Sequence, residues 1–189
     1  ATSIATSVIT MVFWSFGFLR MGTTGLVAQS LVKGDYREIV LIVFRNLSVA
    51  LFISMILITL QNPILELINN FFKPSINTQL LIKKYISVRI WSAPAELAMY
   101  VLVGFYLGLQ KTKITSFLIS FYSIMNIILS YYLVVDLQLN IYGVALGTVL
   151  SAYLTIVIFL LFTFFYIKNK FKIIPRYRKI LITKKLIEL

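Results

Sequence analysis

Apolar residues in this chain fall into five long runs separated by mostly short polar links. The runs cover roughly Ile4–Leu31, Ile39–Leu60, Tyr85–Leu109, Ile114–Val135 and Ile141–Ile167. A helix needs about 20 mostly apolar residues to cross the hydrocarbon core of a bilayer. Helices of soluble proteins are usually about half that length and carry a polar face. The pattern therefore predicts an all-α fold, a polytopic helical membrane protein with five transmembrane helices. The link at 136–140 is so short that the fourth and fifth spans must form an antiparallel hairpin. Only the link at 61–84 is long, and Pro63 and Pro74 punctuate it. Its middle, Ile64–Phe72, reads as the frayed end of the second span or an interfacial turn. No internal repeat, linker or low-complexity segment interrupts the spans. Residues 1–167 are thus one compact transmembrane lobe, or part of one, followed by a basic segment at 168–189.

Polar residues inside the spans are the candidate chemistry. The fourth span carries Ser116, Ser120, Ser123, Asn126 and Ser130. At 100° per residue these five fall within about 120° of arc. Such a stripe faces a neighbouring helix or a water-filled cavity, and the Asn126 amide is harder to satisfy within its own helix than a hydroxyl. In the first span, Arg20 lies about 13 residues before Lys33, too deep for easy snorkelling. An Arg at that depth costs about 2.5–3.5 kcal/mol on insertion scales, so it should point into the bundle towards a carbonyl or an acid. It is read either as a brace between helices or as a contact for a transported solute.

The third span holds Arg89, Pro94 and Glu96. Arg89 is expected near the outer face, where it can snorkel. Pro94 cannot donate to the carbonyl of Ile90 and should kink the helix. Glu96 lies about 16 Å along the axis, close to the bilayer midplane. A carboxyl there is protonated, paired with a cation or exposed to water, so Glu96 is either a proton or cation site or a neutral or Arg-paired structural group. The ladders Gly104-x-x-x-Gly108 and Gly143-x-x-x-Gly147-x-x-x-Ser151 read as close helix packing.

Composition narrows the function. The chain is 60% hydrophobic and contains no Cys and no His. That removes Cys nucleophiles, disulfides and the commonest metal ligand and acid/base group. The six acids (Asp35, Glu38, Glu66, Glu96, Asp136 and Glu188) are scattered. An enzyme is not expected, and no cofactor or tightly held metal is implied. The net charge of +12 is spread over links and the C-terminal run rather than a soluble face. It therefore points to anionic membrane lipid and topology rather than nucleic acid. Lys33, Arg37, Arg45, Lys111, Lys113 and the tail outweigh Lys73, Lys83, Lys84 and Arg89. This excess places the first set, and the C-terminal segment, in the cytoplasm. An outside start with no charged leader suggests a fragment, with one more helix before Ala1.

Several stretches also resemble one family. FLRMGTTGLVAQ (Phe18–Gln29) is similar to the end of the second helix of MATE (multidrug and toxic compound extrusion) transporters of the DinF-like branch. RIWSAP (Arg89–Pro94) with GFYLGLQ (Gly104–Gln110) resembles their fourth helix. NIILS (Asn126–Ser130) and YGVALGT (Tyr142–Thr148) resemble the fifth and sixth. The matches fall in order, at matching spacing, over the whole chain.

The resemblance implies a twelve-helix transporter of two facing six-helix lobes, of which this chain would supply helices two to six. Its intramolecular partner would be the second lobe. Such transporters sit in the cytoplasmic (inner) membrane and export small organic, often cationic, compounds by antiport with sodium ions or protons. In the DinF-like branch the cation site combines an acid on helix one, an Asn and an Asp on helix five, and a Thr on helix six. Asn126 and Thr148 take the Asn and Thr positions and imply a sodium ion near them. Ser130 stands at the Asp position and cannot supply its charge, and Glu96 is the acid that could compensate. Two rival readings are a flippase for lipid-linked oligosaccharides, which shares the architecture, and a non-transporting scaffold.

Overall fold

The computed structural model describes residues 2–171. The basic run from 172 onwards, with its amphipathic stretch Ile180–Leu189, lies outside the described residues. The helices are α1 (Thr2–Ser15), α2 (Phe18–Val32), α3 (Tyr36–Thr59), α4 (Gln61–Phe72), α5 (Ile76–Arg89), α6 (Ala93–Gly108), α7 (Thr112–Tyr131) and α8 (Asn140–Phe171). They form five membrane-length spans: Ser3–Val32, Tyr36–Thr59, Ile76–Gly108, Thr112–Asp136 and Asn140–Lys170. Four agree with the hydrophobic pattern to within a few residues. α8 runs on through Lys168 and Lys170, past the expected lobe boundary at 167.

The third span differs. It starts at Ile76 rather than Tyr85, and the expected outer link is almost all helix. Lys83 and Lys84 depress the hydropathy of α5, but both point outwards while Ile82 and Ile86 are buried on the opposite side. A one-sided helix reads as a polar link when only its average is taken. α4 likewise buries Leu65 and Ile68 and exposes Glu66. It stops at Lys73, which adopts a left-handed conformation (φ 42°) immediately before Pro74. A residue preceding proline is kept out of the helical region, so the chain turns there.

Pro94 acts as its chemistry requires, one turn after a break. α5 ends at Arg89, Ile90–Ser92 form a 3-10 turn, and Pro94 sits in the first turn of α6, where its missing N–H leaves no bond unmade. α6 is the hub, packed against α2, α3, α7 and α8. Its Leu97, Val101, Leu102, Phe105 and Tyr106 are essentially inaccessible.

Lipid is as apolar as leucine, so contact between spans depends on close packing and internal hydrogen bonds. Both are present. A Cβ on Gly104 would lie 2.5 Å from the Arg20 carbonyl oxygen, and one on Gly108 would lie 2.7 Å from the Val27 Cβ, so α2 rides directly on the α6 backbone. Asn46 donates to Thr23 Oγ1 at 2.8 Å and Thr23 donates to the Leu19 carbonyl at 2.6 Å, tying α3 to α2. Tyr106 and Thr163 hydroxyls meet at 2.7 Å. The Thr163 proton is already given to the Phe159 carbonyl at 2.7 Å, so Tyr106 donates and joins α6 to α8. The α7–α8 hairpin is closed by a π turn (Tyr132–Asp136), and Gly143 and Gly147 pack on Leu133 and Ser130.

Gly104→Leu forces α2 off α6 and destabilises the protein by about 1–3 kcal/mol, as overpacking does elsewhere. Gly22→Ala, where a Cβ meets nothing within 4 Å, leaves stability unchanged or slightly raised. Thermal unfolding of the two variants in detergent checks this, and equal melting temperatures would refute the seam.

Candidate functional site

Between α5, α7 and α8 lies an open cleft of about 340 Å³. α5 contributes Tyr85 and Arg89, one turn apart. α7 contributes Tyr122, Ser123, Asn126 and Ile127, and α8 contributes Thr148. Of the residues singled out from the sequence, Asn126, Thr148 and Ser123 meet here. The polar stripe of α7 thus faces open space rather than a packed neighbour along most of its length: Ser116, Ser120 and Ser123 are exposed and Asn126 is half-buried.

Each polar group in the cleft has its local tether. Ser123 donates to the Ile119 carbonyl at 3.0 Å and Thr148 to the Val144 carbonyl at 3.0 Å, which leaves both hydroxyl oxygens as acceptors. Asn126 Nδ2 donates to Ser151 Oγ at 3.3 Å, and Ser151 donates to the Thr148 carbonyl at 2.9 Å. This relay fixes the orientation of the amide across the hairpin.

Behind the cleft is a buried ion pair. Arg89 Nη1 lies 2.7 Å from Glu96 Oε1, with only 9% and 12% of the two side chains exposed. Arg89 also donates to Ser92 Oγ, and Ser92 donates to the Arg89 carbonyl at 2.8 Å. Tyr122 donates to the same Glu96 oxygen at 3.3 Å. The guanidinium carbon sits 5.2 Å above the centroid of the Phe13 ring, a cation–π contact from α1. Tyr85 in turn accepts from Thr6 Oγ1 at 3.2 Å.

The expectation that Arg89 snorkels is overturned. α5 begins at Ile76, which puts Arg89 13 residues along it, about 20 Å from the helix start, and its side chain turns inward onto Glu96 rather than towards the surface. Glu96 is ion-paired with Arg89. It does not itself line the cleft, and among the described residues no carboxylate does.

Two other sequence candidates sit elsewhere. Ser130 does not line the cleft. Its Oγ is buried without a partner, and a Cβ on Gly147 would lie 2.4 Å from it, so Ser130 is the contact surface on which Gly147 rests. Arg20 is exposed on α2 rather than enclosed as a brace, and its backbone carbonyl, not its guanidinium, makes the close contact with α6. Tyr85, Arg89 and Tyr122 were not foreseen as site residues. The signal for Arg89 was present: a lone mid-membrane acid requires a cation, and seven residues is two helical turns, which puts Arg89 and Glu96 on one face.

Five apolar spans, three of them bordering a polar cleft, define a multi-pass helical membrane protein. The MatE family profile matches residues 1–132, and the chain belongs to that family. It is 32% identical over 159 residues to the DNA damage-inducible protein F of Escherichia coli (strain K12). That alignment covers 84% of this chain and 35% of that protein, so the chain spans about a third of that relative's length. Two solved structures share the fold. One is the outward-facing conformation of a multidrug resistance MATE family transporter of the MOP superfamily (TM-score 0.77, 17% identity, 98% of this chain and 42% of that one). The other is an inward-facing conformation of such a transporter (TM-score 0.78, 18% identity, 99% of this chain and 43% of that one).

Removing one member of the Arg89–Glu96 pair strands the other charge in the bundle. Glu96→Leu or Arg89→Met alone therefore costs about 3–5 kcal/mol, whereas the double replacement recovers most of that loss. Denaturation of the three variants in detergent decides it, and additive losses would show that the two groups act independently.

Proposed function

We propose that this chain is the N-terminal-lobe portion of an efflux antiporter of the cytoplasmic membrane. In this reading it faces a second lobe across a central pathway, keeps its basic C-terminal segment in the cytoplasm, and exports small organic, often cationic, compounds in exchange for a cation. The family membership supports it, as does a relative of known structure described as a multidrug resistance transporter. A further support is that the five-span unit fits outward- and inward-facing states equally, at TM-scores of 0.77 and 0.78. A unit that moves as a body between the two states would do so.

The buried Arg89–Glu96 pair beside the cleft carries the choice of coupling ion. Ser123, Asn126 and Thr148 offer a sodium ion only neutral oxygens, and the Arg89 guanidinium stands in the same cleft. That set supplies no negative charge for a sodium ion unless an acid from another segment joins it. A proton has a carrier in Glu96. Protonation removes half of the ion pair, releases Arg89 and loosens the joint between α5, α6 and α7. An ion shifts a conformational equilibrium only by its differential affinity for the two states, and here that difference would be the pair made in one and broken in the other. The flippase alternative requires several cations facing the pathway, whereas Arg89 is neutralised and Arg20 remains.

Two measurements on the full-length protein test the reading. Asn126→Cys should react with a hydrophilic thiol reagent in at least one transport state, and complete protection in all states would place the cleft outside any aqueous pathway. Glu96→Gln should abolish proton-driven efflux while the purified protein still binds solute. Normal efflux from that variant would remove Glu96 from coupling.

A further inference from the structure

On the opposite side of α7 from the cleft, a second groove of about 270 Å³ is lined by Lys113, Ile114 and Phe117 from α7 and by Ile158, Phe159 and Phe162 from α8. Phe117 and Asn126 are nine residues apart, or about 180° around the helix, so this groove is not a continuation of the polar cleft. Phe159 forms its floor at 3% exposure, with the Phe117 ring 6.1 Å and the Phe162 ring 6.3 Å away, while Phe117 and Phe162 are 63% and 45% exposed.

The groove has a direction. α7 and α8 are antiparallel, so the start of one and the end of the other lie at the same face of the bundle. Lys111 and Lys113 stand at the first, Lys168 and Lys170 at the second, and all four are exposed. Asp136, the acid of this hairpin, is at the far end. Along α7 the step from Lys113 to Phe117 is about 6 Å, and along α8 from Lys168 back to Phe159 about 14 Å. That depth matches one leaflet of a hydrocarbon core about 30 Å thick. The groove is too small for a helix, which is about 10 Å across, and wide enough for an acyl chain.

We propose that the α7–α8 groove is a binding site for an anionic phospholipid, its phosphate held by Lys113 and one acyl chain laid over Phe117, Phe159 and Phe162. The positive charge and the apolar aromatic bed are arranged head to tail in the order that such a molecule presents them. The proposal does not depend on what the cleft transports.

The test places a reporter in the groove. Full-length protein carrying Phe117→Trp, its other tryptophans replaced by Phe, is reconstituted in phosphatidylcholine bilayers. Dibrominated phosphatidylglycerol or dibrominated phosphatidylcholine is then added as quencher. The phosphatidylglycerol should quench with about five-fold higher apparent affinity, the gain expected of one lysine at an anionic surface. Lys113→Ala should bring the two lipids together, and Lys113→Arg should keep them apart. Equal quenching by both lipids would make the groove ordinary annular surface. Selectivity surviving Lys113→Ala would place the headgroup site elsewhere, and absence of quenching by either would show that protein covers the groove. Each of these three results overturns the proposal.

Discussion

Arg89 and Glu96 stand on either side of a broken helix, deep in a membrane-length span, and the site depends on their meeting. Neither charge is tolerable alone in a low-dielectric interior; together, with Ser92, Tyr122 and the Phe13 ring around them, they are satisfied. The break lies between them. Pro94 cannot close the bond to Ile90 and the chain forms one 3-10 turn, across which Arg89 and Glu96 meet at 2.7 Å. Around the pair gather Tyr122 from α7, which also lines the cleft, and the Phe13 ring from α1, which lies outside it.

The rest of the bundle is held by contacts that a membrane makes necessary. With little hydrophobic drive between spans, α6 gains its neighbours through glycines that admit α2 to its backbone and through hydroxyl and amide groups with few other partners. Gly104 and Gly108, Thr23 with Asn46, and Tyr106 with Thr163 are the fastenings. α7 is the exception. It is fastened to α8 but exposes both a polar stripe and a phenylalanine face, and each of its two sides carries a different candidate ligand surface.

Much of this was legible in the residues themselves. Spans of more than 20 apolar residues admit one structure, because an unpaired backbone amide in hydrocarbon is too costly for any other. The spans, the hairpin of the last two and the interruption at Pro94 followed from hydropathy and proline chemistry alone. The family could be read from Phe18–Gln29, Arg89–Pro94 and Tyr142–Thr148, and the polar face of α7 from spacing alone. The start of the third span was misplaced because Lys83 and Lys84 lower a window average without disturbing a helix whose opposite side is buried.

Tertiary structure alone decided which polar residues share a space. Asn126 and Thr148 line one cleft. Ser130, one turn from Asn126, went instead against Gly147, because the close approach of α8 occupies the volume its side chain would need to reach the cleft. Arg20 and Arg89 exchanged the surroundings expected of them. Depth in the membrane is counted from where a helix begins, and only packing shows where that is. A residue's identity determined what it required of its surroundings, such as a partner for a buried acid or a bend at a proline. Which residue met the requirement was determined by the crossing of helices far apart in the chain, a relation that no local pattern encodes.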